Sequence, residues 1–162
     1  MIKMLRIDER LIHGQVAIAW SKVLSVSAIV VANDIAAEDD MLKMTLKMAA
    51  PQGVKVAIRS VKGAIELLND SRCEKMSILI VVNNPKDALD IVKEVNNIPL
   101  INLGNFGKID NKIGGRKKLS EGIYVSDEES KVLENLIETG VEVEVRMVPE
   151  RPKVYLKDII NK

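Results

Sequence analysis

Residues 78–82 read Ile78-Leu79-Ile80-Val81-Val82, a run that is apolar at every position. A second run of this kind, Ile29-Val30-Val31, lies earlier in the chain. A strand with apolar side chains on both sides needs cover on both faces, and this is typical of parallel sheets whose crossover helices pack above and below. The two runs therefore predict an α/β fold built on a parallel sheet.

Short β-branched runs alternate with helical patterns on both sides of that stretch. The predicted strands are residues 2–6, 28–32, 54–59, 77–82, 100–103, 123–125 and 141–148. The predicted helices lie between them, at about 15–24, 38–49, 61–68, 85–94 and 128–139. This alternation gives repeated strand–helix–strand units with right-handed crossovers. We expect one open, mostly parallel, twisted sheet of about six or seven strands, with helices on both faces.

The last predicted strand has a different pattern from the others. It starts Val141-Glu142-Val143-Glu144-Val145, which alternates apolar and acidic residues. Alternation of this kind indicates one wet face, so we expect 141–148 to be an edge strand, with an antiparallel orientation as an option. An exposed edge can pair with a second copy of the chain or stay solvated, and a homodimer is therefore left open.

The composition narrows the class of protein. The chain has 162 residues, 47% of them hydrophobic and 29% charged, which fits a single globular domain over 1–162. Aromatic residues make up only 2%, and the net charge is +1. Single-strand nucleic-acid binding relies on aromatic platforms and basic grooves, so we expect no nucleic-acid partner.

Cysteine usage and hydropathy bear on the compartment. Cys73 is the only cysteine, which excludes intramolecular disulfides and a cysteine metal cluster. The first residues lack the layout of a signal peptide, and no apolar run approaches the ~18 residues that span a bilayer. We expect a cytoplasmic protein that needs no metal and no cofactor.

Two further stretches carry expectations. Met41, Met44 and Met48 recur at helical spacing, and we expect them to pack into the core. Residues 104–122 form the longest stretch without a regular signal, and loops of that length in compact domains are often functional. Its cluster Arg116-Lys117-Lys118 is either a solvated surface or a contact for a partner.

His13 is the only histidine, and it follows the first predicted strand. Ligands of open parallel sheets bind beyond the carboxyl ends of the strands, which puts His13 on that rim. The helix predicted from Gln15 begins directly after Gly14, so its first N–H groups and positive dipole end would face a group on the imidazole. Such a site suits a phosphoryl group. Gly14 leaves space for that group to approach the backbone.

Two neighbours of His13 have the chemistry that such a site needs. Arg10 supplies a planar fork for phosphate oxygens. Asp8 can accept a proton from one imidazole nitrogen and so orient the ring, which leaves the other nitrogen free as a nucleophile. Loops after other strands meet the same rim, and the further candidates for phosphate or partner contact are Gly14, Gln15, Asn33, Ser60 and Phe106.

The string Arg6-Ile7-Asp8-Glu9-Arg10-Leu11-Ile12-His13-Gly14-Gln15-Val16, with Trp20 after it, resembles the start of a IIB component of the mannose/fructose/sorbose family of the bacterial phosphoenolpyruvate-dependent sugar phosphotransferase system. The resemblance extends along the chain. Other stretches that share it are residues 31–34, 48–51, 102–105 and 112–116. The length is that of one IIB domain, and we expect a free-standing domain without a fused IIA domain.

The resemblance implies a function and its partners. His13 would take a phosphoryl group on Nδ1 from a phosphorylated IIA component and pass it to a sugar at the IIC and IID membrane components. This activity is that of a protein-Nπ-phosphohistidine–sugar phosphotransferase. Arg10 would stabilise the phosphate and Asp8 would act as the local orienter. The protein would lie in the cytoplasm and associate peripherally with the membrane, and the sugar stays open.

Two other readings compete with this one. A stand-alone phosphomutase or isomerase could use His13, but such enzymes bring a second acid or base or several basic residues into an enclosed pocket. A nucleotide-binding module would need G-x-x-x-x-G-K-[S/T] or a strand-linked G-x-G-x-x-G, and neither pattern occurs.

Overall fold

The computed structural model describes residues 1–108 and 115–161, and its main feature is a seven-stranded sheet. The strands of this sheet are β1 (Ile2–Asp8), β2 (Ala28–Ala32), β3 (Lys55–Arg59), β4 (Ile78–Val82), β5 (Leu100–Asn105), β8 (Glu142–Val145) and β9 (Val154–Tyr155). Two more strands, β6 (Lys117–Ser120) and β7 (Ile123–Val125), form a separate antiparallel pair. The helices are α1 (Gly14–Leu24), α2 (Asp34–Glu38), α3 (Asp40–Ala49), α4 (Val61–Leu68), α5 (Pro85–Glu94) and α6 (Asp127–Glu138).

The spatial order of the large sheet is β3-β2-β4-β1-β5-β8-β9. All neighbours in it pair in parallel except β8 and β9, which are antiparallel. The predicted mostly parallel sheet is therefore confirmed, and the strand at its end, β9, is antiparallel. β1 is central: its Leu5 pairs with Ile80 on one side and with Ile101 on the other.

The antiparallel edge is not at the predicted residues. The run at 141–148 forms β8, which is parallel to β5 and lies one strand inside the edge. Its alternation suggested a wet face, but Glu144 is buried, and the side-chain amide of Asn102 donates a 2.9 Å hydrogen bond to its carboxylate. The antiparallel edge strand is the two-residue β9, which the pattern did not indicate.

The predicted strand 123–125 exists as β7 but lies outside the large sheet. It pairs with β6, which falls in the stretch predicted to lack regular structure. The Phe106 and Tyr124 backbones link this pair to the end of β5, where the Tyr124 N–H donates to the Phe106 carbonyl over 2.9 Å. Residues 109–114, which include the Lys112-Ile113-Gly114 part of the resembling stretch, lie outside the described residues.

The core has two layers, one on each face of the sheet. Alternate residues of β2 and β4 face opposite sides: Ile80 joins the cluster beneath α4, α5 and α6, whereas Leu79 joins the cluster beneath α1 and α3. This burial on both faces is the reason that these strands are apolar throughout. None of the helices within 1–108 and 115–161 is long and apolar enough to cross a membrane.

The three methionines of α3 do not pack into the core. Met41, Met44 and Met48 are 79%, 64% and 79% exposed, so the expectation from their spacing is wrong. The same helix has a second apolar stripe that includes Leu42 and Leu46, and this one packs against the sheet. Two stripes at helical spacing satisfy the periodicity equally well, and only the packing distinguishes them.

Candidate active site

The site lies at the carboxyl end of β1, in the middle of the sheet. The connection after β1 runs to β2 on one side, whereas the connection after β4 runs to β5 on the other. Opposite turns of neighbouring strands open a crevice at their carboxyl ends, where ligands of open α/β sheets bind. Asp8 ends β1 there and pairs with Asn105 of β5.

The loop between β1 and α1 is held by buried apolar residues. The Leu11 N–H donates to the Asp8 carbonyl over 2.8 Å, and Leu11 has a φ of 61°. A left-handed conformation costs a residue other than glycine about 1–2 kcal/mol. Leu11 and Ile12 bury their side chains in the cluster beneath α1, which offsets this cost. The loop therefore has a fixed shape at the point where it presents the next residue, His13.

His13 is the N-cap of α1 and its side chain is exposed. Its carbonyl accepts a 3.0 Å hydrogen bond from the Ala17 N–H, but its imidazole makes no capping hydrogen bond. The first turn is Gly14, Gln15 and Val16, whose N–H groups have no partner inside a helix. No acidic residue stands in this turn to offset the positive end of the helix dipole. An anion on the imidazole would meet these donors.

Gly14 leaves the space beside His13 open. Apart from its chain neighbours His13 and Gln15 and the nearby backbone of α1, a Cβ atom at this position would have no heavy atom of the described residues within 4 Å. The interpretation of Gly14 as room for an approaching group fits this geometry.

Arg10 is fixed by Asp8. Its Nε donates to Oδ1 of Asp8 and its Nη2 donates to Oδ2, each over 3.0 Å, and its backbone N–H donates to Oδ1 over 3.0 Å. Asp8 is fully buried, whereas the Arg10 side chain is 27% exposed. The carboxylate thus anchors a guanidinium that still reaches solvent beside the His13 loop.

Asp8 also binds a second, buried guanidinium. Arg6 Nη2 lies 3.0 Å from Asp8 Oδ2. Burial by itself raises the pKa of the Asp8 carboxyl, but the hydrogen bonds from Arg10 and the charge of Arg6 outweigh it and hold that pKa below its ordinary value. Asp8 is therefore ionised at neutral pH.

The expected hydrogen bond between Asp8 and His13 is not formed. The side-chain hydrogen bonds of Asp8 to residues 1–108 and 115–161 go to Arg6 and Arg10, and none goes to the imidazole. Its carboxylate oxygens are occupied by the two guanidinium groups, so the route by which Asp8 would fix the tautomer of His13 is absent here. Asp8 orients Arg10 instead.

Three of the remaining candidates lie at the starts of helices. Asn33 and Ser60 are the N-caps of α2 and α4, and their side-chain oxygens accept the N–H groups of Ala36 (2.8 Å) and Gly63 (3.0 Å). Both lie on the expected rim, with these oxygens used in capping. Gln15 is exposed in the first turn of α1.

Phe106 does not belong to an accessible surface. Its ring is buried in the core beneath α5 and α6, and the Arg116 guanidinium lies 5.4 Å from the ring centre. Arg116 also pairs with Glu129 at 3.1 Å. A contact between the Phe106 ring and a partner, as the sequence suggested, conflicts with this burial. Lys117 and Lys118 of the basic cluster are exposed.

Glu9 connects the site to its neighbouring loop, although no role was inferred for it from the sequence. Its carboxylate accepts the N–H groups of Gly107 and Lys108, each over 2.9 Å. The Glu9 N–H in turn donates to the Asn105 carbonyl over 2.9 Å. The loop after β5 is thereby tied to the loop after β1. Within the described residues, no group of three His, Cys, Asp or Glu residues is placed to hold a metal ion.

Comparison with known proteins is consistent with this geometry. Residues 2–162 match the family model for the sorbose-subfamily IIB component of the phosphotransferase system. The chain is 39% identical over 163 residues to a probable phosphotransferase enzyme IIB component of Streptococcus pyogenes, covering 99% of this chain and 100% of that one. It is 32% identical over 162 residues to the mannose-specific EIIAB component of Escherichia coli, covering 100% of this chain and 49% of that protein.

A solved structure is similar over nearly the whole fold. The IIBSor domain of the sorbose permease from Klebsiella pneumoniae superposes with a TM-score of 0.90 at 30% sequence identity, covering 99% of this chain and 96% of that one.

Proposed function

Because the chain belongs to the sorbose-subfamily IIB components of the phosphotransferase system, we propose that it carries a phosphoryl group on His13, accepting it from a phosphorylated IIA component and delivering it to a sugar at the IIC and IID membrane components. The observation that supports this most is the placement of an exposed imidazole at the N-terminus of α1, in the same loop as Arg10, whose guanidinium is anchored by a buried carboxylate.

The first step transfers a phosphoryl group between two imidazoles. The lone pair of His13 Nδ1, the nitrogen that the family resemblance implies, attacks phosphorus in line with the nitrogen–phosphorus bond of the donor. A new bond from His13 to phosphorus forms, and the electron pair of the broken bond returns to the donor imidazole. The phosphoryl oxygens then face the amides of Gly14 and Gln15 and the Arg10 guanidinium, which stabilise their charge.

The second step discharges His13. A sugar hydroxyl attacks phosphorus, the bond to His13 breaks and its electron pair returns to the ring. The hydroxyl proton leaves to a base on the permease side or to water. Positioning and charge stabilisation provide most of the catalysis in such transfers, so the protein needs no metal or nucleotide of its own.

Exposure of His13 suits a carrier. Donor and acceptor must reach the same nitrogen in turn, and a side chain on the surface at a helix N-terminus allows both.

The size of the cavity at His13 bears on the competing enzyme hypothesis. This cavity, lined by His13, Arg6 and Trp20 among others, holds only about 10 Å³, far too little for a sugar phosphate. This disfavours a stand-alone phosphomutase or isomerase.

The comparisons support a IIA partner. The E. coli relative is named an EIIAB component, and this chain matches about half of it. We place the protein, as a single IIB domain, on the cytoplasmic side of the membrane, in peripheral association with IIC and IID. The sugar is open, because the relatives named above include sorbose- and mannose-specific components.

Phosphorylation by IIA tests the proposal. The IIA component is first phosphorylated with phosphoenolpyruvate and the general phosphotransferase proteins, and phospho-IIA is isolated. The protein is then incubated with phospho-IIA, with and without a chelator. We expect a mass increase of one acid-labile phosphoryl group, absent in His13→Gln and unaffected by the chelator in that step. Labelling of His13→Gln at another residue would refute the proposal, as would a wild-type protein that stays unmodified.

A further inference from the structure

Arg6 is a charged residue in the interior of the sheet. It is only 3% exposed. Its Nη2 donates a hydrogen bond to Asp8 Oδ2 (3.0 Å), and its Nη1 donates one to Asn102 Oδ1 (2.6 Å). Strand register places Arg6 beside Asn102, and Asn102 beside Glu144. The Asn102 amide donates to Glu144 Oε1 over 2.9 Å. A buried row of polar groups therefore runs from Glu144 to the carboxylate that holds Arg10.

The backbone around Arg6 leaves space for its guanidinium. A Cβ atom at Gly104 would collide with the guanidinium carbon and both terminal nitrogens of Arg6. On another side, the guanidinium carbon lies 5.8 Å from the centre of the Trp20 ring. The position is thus defined by packing as well as by hydrogen bonds.

The chain holds an internal reference for the Asp8–Arg10 pair. Asp70 and Arg72 have the same spacing and the same three hydrogen bonds, from the Arg72 N–H (2.9 Å), Nε (3.0 Å) and Nη2 (2.7 Å). Among the described residues, the hydrogen bonds and ion pairs of the Asp70 carboxylate go to Arg72 alone. An Asp-x-Arg turn of this geometry therefore forms at the surface without an equivalent of Arg6.

What Arg6 adds is charge. A carboxylate paired with one guanidinium is neutral as a pair, and such a pair is a weak anion site. With Arg6 included, the group of Arg6, Asp8 and Arg10 has one positive charge in excess. Glu144 lies beyond Asn102, and its other carboxylate oxygen is 3.9 Å from the ammonium of Lys153, which pairs more closely with Glu142.

We propose that Arg6 is a positioning residue for phosphoryl transfer: it neutralises the buried side of Asp8, so that Asp8 holds Arg10 in place without cancelling the positive charge that Arg10 presents to the phosphoryl group. This inference rests on the proposed function. Arg6 acts through Asp8 and does not touch the phosphoryl group or the partner.

The test is a double-mutant cycle on the transfer rate from phosphorylated IIA to the full chain. Arg6→Gln is expected to lower the maximal rate about tenfold, equivalent to ~1.4 kcal/mol, and to leave the KM for IIA within about twofold because Arg6 is buried. In an Asp8→Asn background, Arg6→Gln is expected to change the rate by less than about twofold. Arg72→Gln, in the reference turn, is the matched control and should transfer at the wild-type rate.

Two further variants separate charge from structure. Arg6→Lys keeps a cation beside Asp8 and is expected to retain the rate within about threefold, whereas Gly104→Ala keeps Arg6 but displaces its guanidinium and is expected to slow transfer as Arg6→Gln does. Circular dichroism checks whether each variant is folded. This pair decides the question if Arg6→Gln does not fold.

The outcomes distinguish the two proposals. A wild-type chain that takes no phosphoryl group on His13 contradicts the proposed function itself. Normal phosphorylation of wild type with wild-type rates in Arg6→Gln or Gly104→Ala overturns the role of Arg6 alone. The role is also overturned if Arg6→Gln lowers the transfer rate by the same factor in Asp8→Asn as in the wild type, because this would show that Arg6 does not act through Asp8.

Discussion

Arg10 binds Asp8 through two parallel N–H···O bonds of 3.0 Å each, and its backbone N–H adds a third bond to the same carboxylate. The side chain of a mobile surface arginine would lose rotamer entropy when it bound a phosphate. Here that entropy is already lost, so Arg10 is in place before the phosphoryl group arrives.

The fork of Arg10 should therefore be irreplaceable by an ammonium. Arg10→Lys keeps the charge but cannot form both bonds to Asp8 and contact a phosphate at once. We expect a folded protein with phosphoryl transfer slowed about tenfold or more, which corresponds to one lost charge-assisted hydrogen bond of about 1.5–3 kcal/mol. Rapid-quench measurement of transfer from phosphorylated IIA checks this. The control is Arg72→Lys in the turn of the same geometry, and equal rates in the two variants would show that Arg10 has no part in transfer.

Asp8 should contribute to stability in a pH-dependent way. Its folded pKa is lowered, so its contribution is fully present above the unfolded value, about 3.9, and is lost as pH falls through the folded value. We expect the difference in unfolding free energy between wild type and Asp8→Asn to be constant between about pH 5 and 7 and to shrink below about pH 4. Urea unfolding across this range measures it.

Asp87 offers a control because its pKa is shifted in the opposite direction to that of Asp8. Burial raises the pKa of its carboxyl, and the charge of Asp34 adds to this, against the hydrogen bond from Asn84. Its contribution to stability is therefore present at low pH and lost as pH rises through the folded value. The difference between wild type and Asp87→Asn should change with pH in the opposite direction. A difference for Asp8→Asn that grows on acidification would contradict the ion-pair geometry at the site.

The local features of this protein could be predicted from its sequence. The strands at Ile78–Val82 and Ala28–Ala32 are buried on both faces, and their unbroken apolar runs state this directly. The position of the site loop could also be predicted, because Asp8, Arg10 and His13 lie within a few residues of each other and of a helix start. Patterns of this kind depend on nearest neighbours along the chain.

Features that depend on strand order could not be predicted in this way. Arg6, Asn102 and Glu144 meet only because β1, β5 and β8 are adjacent and in register. From the sequence alone, each is a polar residue in an otherwise apolar or alternating run. Glu144 even supported the interpretation of 141–148 as a wet edge, although its carboxylate is buried beside Asn102.

Gly14 should separate stability from function. Apart from its chain neighbours and the nearby backbone of α1, a methyl group there meets no heavy atom of the described residues, so Gly14→Ala is expected to keep or slightly raise stability, by up to ~1 kcal/mol. The methyl group would occupy space beside His13 that the phosphoryl group uses. We expect slower transfer with an unchanged or higher melting temperature, measured by calorimetry and rapid quench. Full transfer activity in Gly14→Ala would show that the open space has no role.

The two apolar stripes of α3 predict different stability effects. Leu46 is buried against the sheet, so Leu46→Ala is expected to cost about 2–5 kcal/mol. Met44 is 64% exposed, and Met44→Ala is expected to change stability by less than about 0.5 kcal/mol. Denaturant unfolding of the two variants compares them. A cost for Met44→Ala as large as that for Leu46→Ala would mean that the methionine stripe faces the core.

The central claim is that His13 carries a phosphoryl group that is then transferred to a sugar. The most direct measurement loads the protein with radiolabelled phosphate through IIA, isolates it and adds it to membrane vesicles that contain the IIC and IID components and a candidate sugar. The account predicts that label leaves His13 and appears in the sugar phosphate, at a rate that depends on both the vesicles and the sugar. Label that stays on the protein with every sugar that the permease transports, or that is released only as inorganic phosphate, would contradict it.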